Sequence, residues 1–298
     1  MDSHMDIPDL GNPDLPPGAA YTGVALLGWM EQAQAIRFLT EDCVFEQPLT
    51  PTAAESLWRE WRGRAAALPQ REAPAPEPIP LTAEENTHAA RFLQFVSGIG
   101  VSGVQVLKLD PMQLVVAQHH IVVGVAARHV GSCGNDSDWV ERTLPTSASN
   151  PQLSMNFVRR NMDTEVTIEL PHAEFIFGVH PHGGFGPKEL LSYVMVLRAG
   201  NRMLLGKGYH RLYARVSSTA GSLPERLSLV ALDPGTLTPP PRETGPADSG
   251  AHPGLDIFGA RPAVFADFFT EGLAMPVYLR KKRYELQIQA RWVAVNES

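Results

Sequence analysis

Residues 191–232 constrain the fold of this chain more than any other stretch. Residues 191–197 (LSYVMVL) are an apolar run rich in strand formers, and Ala199-Gly200-Asn201 breaks it with residues that tolerate positive φ, as a hairpin turn needs. Met203-Leu204-Leu205 resumes as a second short strand, Gly206-Lys207-Gly208 ends it, and residues 209–214 (YHRLYA) have the composition to start a helix. Residues 227–232 (LSLVAL) then read as another strand. With further strands at uneven spacing elsewhere, the pattern predicts an α+β fold, a mixed sheet with short helices, in preference to a regular βαβ array.

The strand-to-helix corner carries the strongest chemical signal. A glycine there lets the backbone approach a ligand closely, and the N–H groups of a helix's first turn make an anion site. Lys207, His210 and Arg211 add charge and donors at the same place, with Arg215 further along the helix. The order strand, turn, strand, G-x-H-R, helix, strand resembles the ParB/sulfiredoxin-like superfamily, whose members place nucleotide phosphates on the box and on the helix that follows it. Gly208, His210 and Arg211 match the box and Tyr209 fills its variable position, while Lys207 stands where many members carry Asp, Gly or Asn. The resemblance covers residues 191–232, and neither cysteine lies near the box, which speaks against a sulfiredoxin-type reaction. It implies a site in which His210 and Arg211 serve the chemistry and Lys207, Gly208, Tyr209 and Arg211 hold a nucleotide or phosphate. Taken alone, the same residues also make a plain helix start whose arginine pairs with a carboxylate.

Charge narrows the partners. A net charge of −7 is the opposite of the strongly basic balance of nucleic-acid-binding domains and speaks against nucleic acid as a partner for the chain as a whole. The dense basic run Arg280-Lys281-Lys282-Arg283 reads as a solvated strand end or turn. Cys43 and Cys133 have no metal-type spacing and fit a reducing compartment. No apolar run reaches the ~18 residues of a membrane span and no signal peptide stands out, so a cytoplasmic location is expected, with Met1 to His4 set aside as a cloning scar.

Along the chain, a proline-rich arm precedes two helices. The first is expected from about Tyr21 and to end before Cys43, on the helical spacing of Val24, Leu27, Met30, Ala33 and Ile36. The second follows Thr50-Pro51, a cap and proline that commonly open a helix, and runs to Leu68. Together they predict a helical hairpin over residues 5–69, with Trp29, Trp58 and Trp61 in its core. The proline-rich stretch 69–80 (PQREAPAPEPIP) reads as an extended linker or a strap across the surface, which sets the linker at residues 70–81 and the α+β domain at residues 82–298. Thr82 to Glu85 forms a capping box for a third helix. Strands are expected over 101–109, 114–126, 164–170, 174–179, 275–280 and 284–295, a short helix over 261–269, and loops over 131–151 and 233–254.

Histidines form the second concentration of interest. His172, Glu174, His180 and His182 lie in PHAEFIFGVHPHGG, and residues two apart on a strand share a face, so this set offers imidazole and carboxylate ligands to a transition metal. Polar strand ends beside turn residues explain the same pattern without a metal. His119-His120 interrupts an apolar strand; alternation predicts that they face opposite sides, so only one can face a given pocket, either as a buried, hydrogen-bonded histidine or, with His129 and His180 or His182, as part of a three-histidine site. Asp267 and Glu271 matter only if the fold carries them to a pocket. No nucleophile elbow, Walker loop or dinucleotide fingerprint is present.

Three functions are therefore open. The first is binding of a phosphate, nucleotide or other small anion at the G-Y-H-R corner, as a binding protein or an enzyme. The second is a histidine-ligated, transition-metal-dependent enzyme. The third is a non-catalytic module that docks a protein partner through its helices and proline strap.

Overall fold

The computed structural model describes residues 15–98, 100–130, 136–146, 154–160, 163–169, 176–180, 184–188, 193–219, 227–237 and 257–280. The fold is α+β. The chain divides into two compact units, Met1–Ser147 with Ser192–Arg280, and Ala148–Leu191 with Lys281–Ser298.

The first unit holds two sheets. One is antiparallel: β1 (Tyr21–Ala25) lies between β13 (Met275–Leu279) and β5 (His120–Val122), and β2 (Cys43–Val44) pairs with the far side of β13. The other is mixed and runs β3 (Gln105–Leu109), β12 (Ser228–Leu237), β10 (Met195–Ala199), β11 (Arg202–Lys207), β4 (Val115–Val116). Here β10 and β11 form the expected hairpin around Gly200-Asn201. Helix α6 (Tyr209–Ser218) then separates β11 from β12, which pairs in parallel with β10. Its Leu212, Tyr213 and Val216 enter a core shared with Leu27, Met30, Ile121, Phe265 and Phe268.

The helix ends follow their sequence signals. In α2 (Pro51–Ala66) the Thr50 Oγ1 accepts from Ala53 N–H at 3.2 Å and Pro51 occupies the first turn, where a missing N–H costs nothing. Helix α3 (Ala83–Gly98) starts at the predicted box: Glu85 N–H donates to Thr82 Oγ1 at 3.2 Å and Thr82 N–H to Glu85 Oε2 at 2.8 Å. Residues 69–80 are a strap. Arg71 N–H donates to Ala260 O (3.3 Å), Ala75 N–H to Asn201 O (2.9 Å) and Ile79 N–H to Lys108 O (2.7 Å).

Three local expectations are corrected. The first predicted helix begins as β1, followed by a 3-10 turn (Leu27–Trp29), the short α1 (Gln32–Arg37) and a π turn (Phe38–Asp42); pairing of residues 21–25 with β13 overrides their helical spacing. The strand expected over 114–126 is instead β4, β5 and then helix α4 (Val123–Val130), whose buried Val123, Val125 and Ala126 join the main core. A helix, α5 (Asp136–Thr143), lies within the stretch expected to be loop.

The second unit contains two antiparallel hairpins, β6 (Ser154–Arg160) with β7 (Asp163–Glu169), and β8 (Ile176–His180) with β9 (Gly184–Lys188). Strands 164–170 and 174–179 were expected there; the strand expected over 284–295 lies outside the described residues. Among the described residues no helix is long and apolar enough to cross a membrane.

Candidate functional site

The G-Y-H-R corner has the predicted backbone. Gly208 caps α6 with φ 94°, a left-handed conformation that a side chain disfavours, and a Cβ there would stand 2.7 Å from Val194 Cγ2. The side chains that follow are engaged inside the fold. The Tyr209 hydroxyl donates to Leu205 O and accepts from Ala117 N–H (3.2 Å) and Gln118 N–H (3.4 Å). Burial pushes this phenol up to about 12, and the two N–H donors only partly oppose it. His210 Nε2 accepts from Val122 N–H at 3.2 Å, which needs that nitrogen deprotonated and the proton on Nδ1.

Arg211, 9% exposed, donates from Nη1 to Arg142 O at 3.0 Å, so its charge meets a carbonyl in the last turn of α5. Arg215 is also buried, its guanidinium 5.4 Å from the Trp139 ring centroid. These contacts tie α6 to α5 and to the segment entering β5. Lys207 is exposed at the end of β11.

Of the proposed metal ligands, His172, Glu174 and His182 lie outside the described residues, and His180 is the last residue of β8, paired with Gly184. His119 and His120 do not face opposite sides. Their ring centroids are 4.7 Å apart and both pack on Phe38, at 5.3 and 5.2 Å. β5 begins only at His120, so His119 precedes the strand and its alternation does not apply. Gln34 Nε2 and His119 Nδ1 are 3.3 Å apart. Among the described residues, no group of three or more His, Cys, Asp or Glu side chains is placed to hold a metal ion.

A cavity of about 290 Å³ opens elsewhere in the first unit. The turn at Gly28, Trp29 and Glu31 forms one wall, Arg62, Ala65, Ala66 and Leu68 of α2 and its end a second, and Gln70 with Gly259, Ala260 and Arg261 a third. Gly28 permits the first two walls to meet: a Cβ there would lie 2.5 Å from Trp61 O and 2.8 Å from Ala65 Cβ. Arg62 Nη1 donates to Gly28 O at 3.0 Å. Arg261 is held at both ends, its carbonyl accepting from Trp29 Nε1 at 3.2 Å and its Nη1 donating to Pro69 O.

Next to Arg261 lies an ion pair whose carboxylate is buried and whose arginine is partly exposed. Arg71 Nη1 stands 3.0 Å from each oxygen of Asp267, which is 1% exposed and also accepts from Val264 N–H at 2.9 Å. Asp267 was a candidate only if the fold carried it to a pocket; it is not among the residues lining this one, though it lies near Arg261, which is, and Glu271 is exposed. Burial raises the Asp267 carboxyl above its ordinary range despite Val264 N–H and Arg71. Burial, then the like charge of Arg71, lowers Arg261, with Asp267 opposing. Arg261 Nε is shielded from solvent and has no acceptor among the described residues. No sequence motif marks Arg62, Gln70, Arg71 or Arg261; on α2, Arg62 reads as one more exposed cation.

No family model matches the chain, and neither a curated protein nor a solved structure matches it.

Proposed function

We propose that this chain binds a small organic anion in the cavity between the 28–31 turn, the end of α2 and the 259–261 loop. The observation that carries the reading is the uncompensated charge. Arg62 and Arg261 both line the space and Glu31 is the one carboxylate among the lining residues, an excess of one positive charge to which the neighbouring Arg71–Asp267 pair adds nothing. A guanidinium has five donors in a fixed fork, and each lining arginine has one engaged with a carbonyl, so both retain donors for a carboxylate or phosphate. A cavity of about 290 Å³ suits a ligand of metabolite size with a short apolar body against Ala65, Ala66 and Leu68, and is small for a whole nucleotide.

The corner at Lys207 and Gly208 is the second place for an anion, supported by the resemblance and by the exposed lysine. Its weight is reduced because Tyr209, His210 and Arg211 are engaged within the fold.

Isothermal titration of the full chain with inorganic phosphate, butyrate, benzoate, phosphoserine and ATP separates the two. Binding that Arg62→Ala and Arg261→Ala each weaken by about 10-fold or more, as expected for loss of a charged hydrogen bond, supports the cavity. Binding that only Lys207→Ala weakens moves the site to the corner. Affinity unchanged in all three variants, or no binding by any probe, overturns the proposal.

A further inference from the structure

We infer that the 69–80 strap is a latch that anion binding in the cavity closes. This rests on the cavity being an anion site, as proposed above. The strap carries little apolar anchorage: within 69–80 only Ala73 and Pro76 are buried. Ala73 also has φ 48°, among the described residues the one non-glycine position with positive φ, which costs of order 1 kcal/mol or more in an L-residue. Polar bonds hold the segment instead. Arg71 pairs with Asp267 and its N–H donates to Ala260 O; Arg202 donates to Glu72 O (2.9 Å), Ile257 O (2.6 Å) and Gly259 O (2.9 Å); and Arg261 donates to Pro69 O. A segment with few buried apolar contacts and a strained residue sits at the low-stability end of a structure and opens locally before the fold does.

The cavity is made partly of this latch. Gln70 belongs to the strap, Arg261 is bonded to the strap at Pro69, and Arg62 belongs to α2. When the strap lifts, Arg261 loses its Pro69 partner and the cavity loses the Gln70 part of its wall, while Arg62 stays on the helix. An anion held by both arginines therefore binds the closed strap and not the lifted one, and a ligand shifts an equilibrium by its difference in affinity for the two states. The link is reciprocal, so loosening the strap weakens the ligand.

Two backbone amides report the latch: Arg71 N–H, bonded to Ala260 O, and Ala75 N–H, bonded to Asn201 O. Hydrogen exchange at both is measured on the full chain, without ligand and with whichever of phosphate, butyrate, benzoate or phosphoserine binds best, at 100 times its Kd. The expected result is exchange about 100-fold slower at both amides with ligand, an effect cut to about 10-fold or less in Arg62→Ala at the same ligand concentration. Asp267→Asn speeds exchange at both amides and weakens the ligand measured by titration. Ligand that binds with both amides unchanged overturns the latch and leaves the anion site standing. Absence of binding by every probe overturns both. Slowing undiminished in Arg62→Ala, although titration shows its ligand weakened, overturns the latch as well, since protection then does not come from the cavity.

Discussion

Replacement of Asp267 tests the physical account of the junction most directly. Its carboxylate is 1% exposed and satisfies Val264 N–H at 2.9 Å and Arg71 Nη1 at 3.0 Å on both oxygens. Breaking a buried pair by deleting one partner costs roughly 3–5 kcal/mol, because the other charge is left buried and uncompensated. Arg71 keeps 32% of its side chain exposed and water recovers part of that loss, which puts Asp267→Ala at the low end, about 3 kcal/mol. Arg71→Ala costs about 2 kcal/mol, since Asp267 keeps the Val264 N–H and the nearby Arg261 charge. The double variant falls short of the sum by about 1–2 kcal/mol. Urea midpoints at constant m-value give all three numbers. Additivity within about 0.3 kcal/mol would refute the idea that the two side chains act as a pair. The pH dependence has an unusual sign. Burial raises the folded-state carboxyl above its ordinary value of 3.8, so between those two pKa values the folded chain binds the extra proton. Stability relative to Asp267→Asn must therefore fall as pH rises through the raised pKa. A rise over that window would mean that Arg71 dominates burial.

Tyr209→Phe removes the acceptor of Ala117 and Gln118 N–H in a buried place and should cost about 1–3 kcal/mol by denaturation; a loss under about 0.5 kcal/mol would show that water replaces the hydroxyl. Gly28→Ala puts a Cβ 2.5 Å from Trp61 O and should destabilise by about 1–3 kcal/mol, as well as weakening any ligand of the cavity; a thermal midpoint equal to that of the parent would contradict the close approach. Glu85 is raised by burial, but Lys108 (2.7 Å) and Thr82 win and hold its carboxyl below the ordinary value of 4.5. Its contribution is then present above pH 4.5 and lost as pH falls through the lower folded pKa, and a Glu85→Gln chain whose stability tracked the parent across that window would disprove it.

The parts legible in the sequence are those whose cause is local. Thr50-Pro51 and Thr82 to Glu85 satisfy helix-end N–H groups with side chains a few residues away, so they mark the starts of α2 and α3 with no reference to the rest of the chain. The same holds for the β10–β11 hairpin, its Gly200-Asn201 turn, and the αL glycine before α6, where backbone sterics at one or two residues decide the shape. What failed depends on distant partners. Residues 21–25 have helical spacing, yet become a strand because β13, near the end of the described chain, supplies a backbone ladder. Histidines 119 and 120 share a side because the strand starts only at the second of them, a boundary set by pairing with β1.

The functional reading divides in the same way. Sequence alone established the α+β class, the corner with its basic side chains, and a net charge that speaks against nucleic acid. Tertiary structure decided where those side chains go: the Arg211 guanidinium meets the Arg142 carbonyl, because α5, hidden in a stretch that reads as loop, ends beside α6. It also assembled the cavity from the 28–31 turn, the end of α2 with the start of the strap, and the 259–261 loop. Each arginine there looks like an ordinary surface cation in the sequence. Their common significance comes from lining one cavity, a placement made by the tertiary fold that no local pattern of residues encodes.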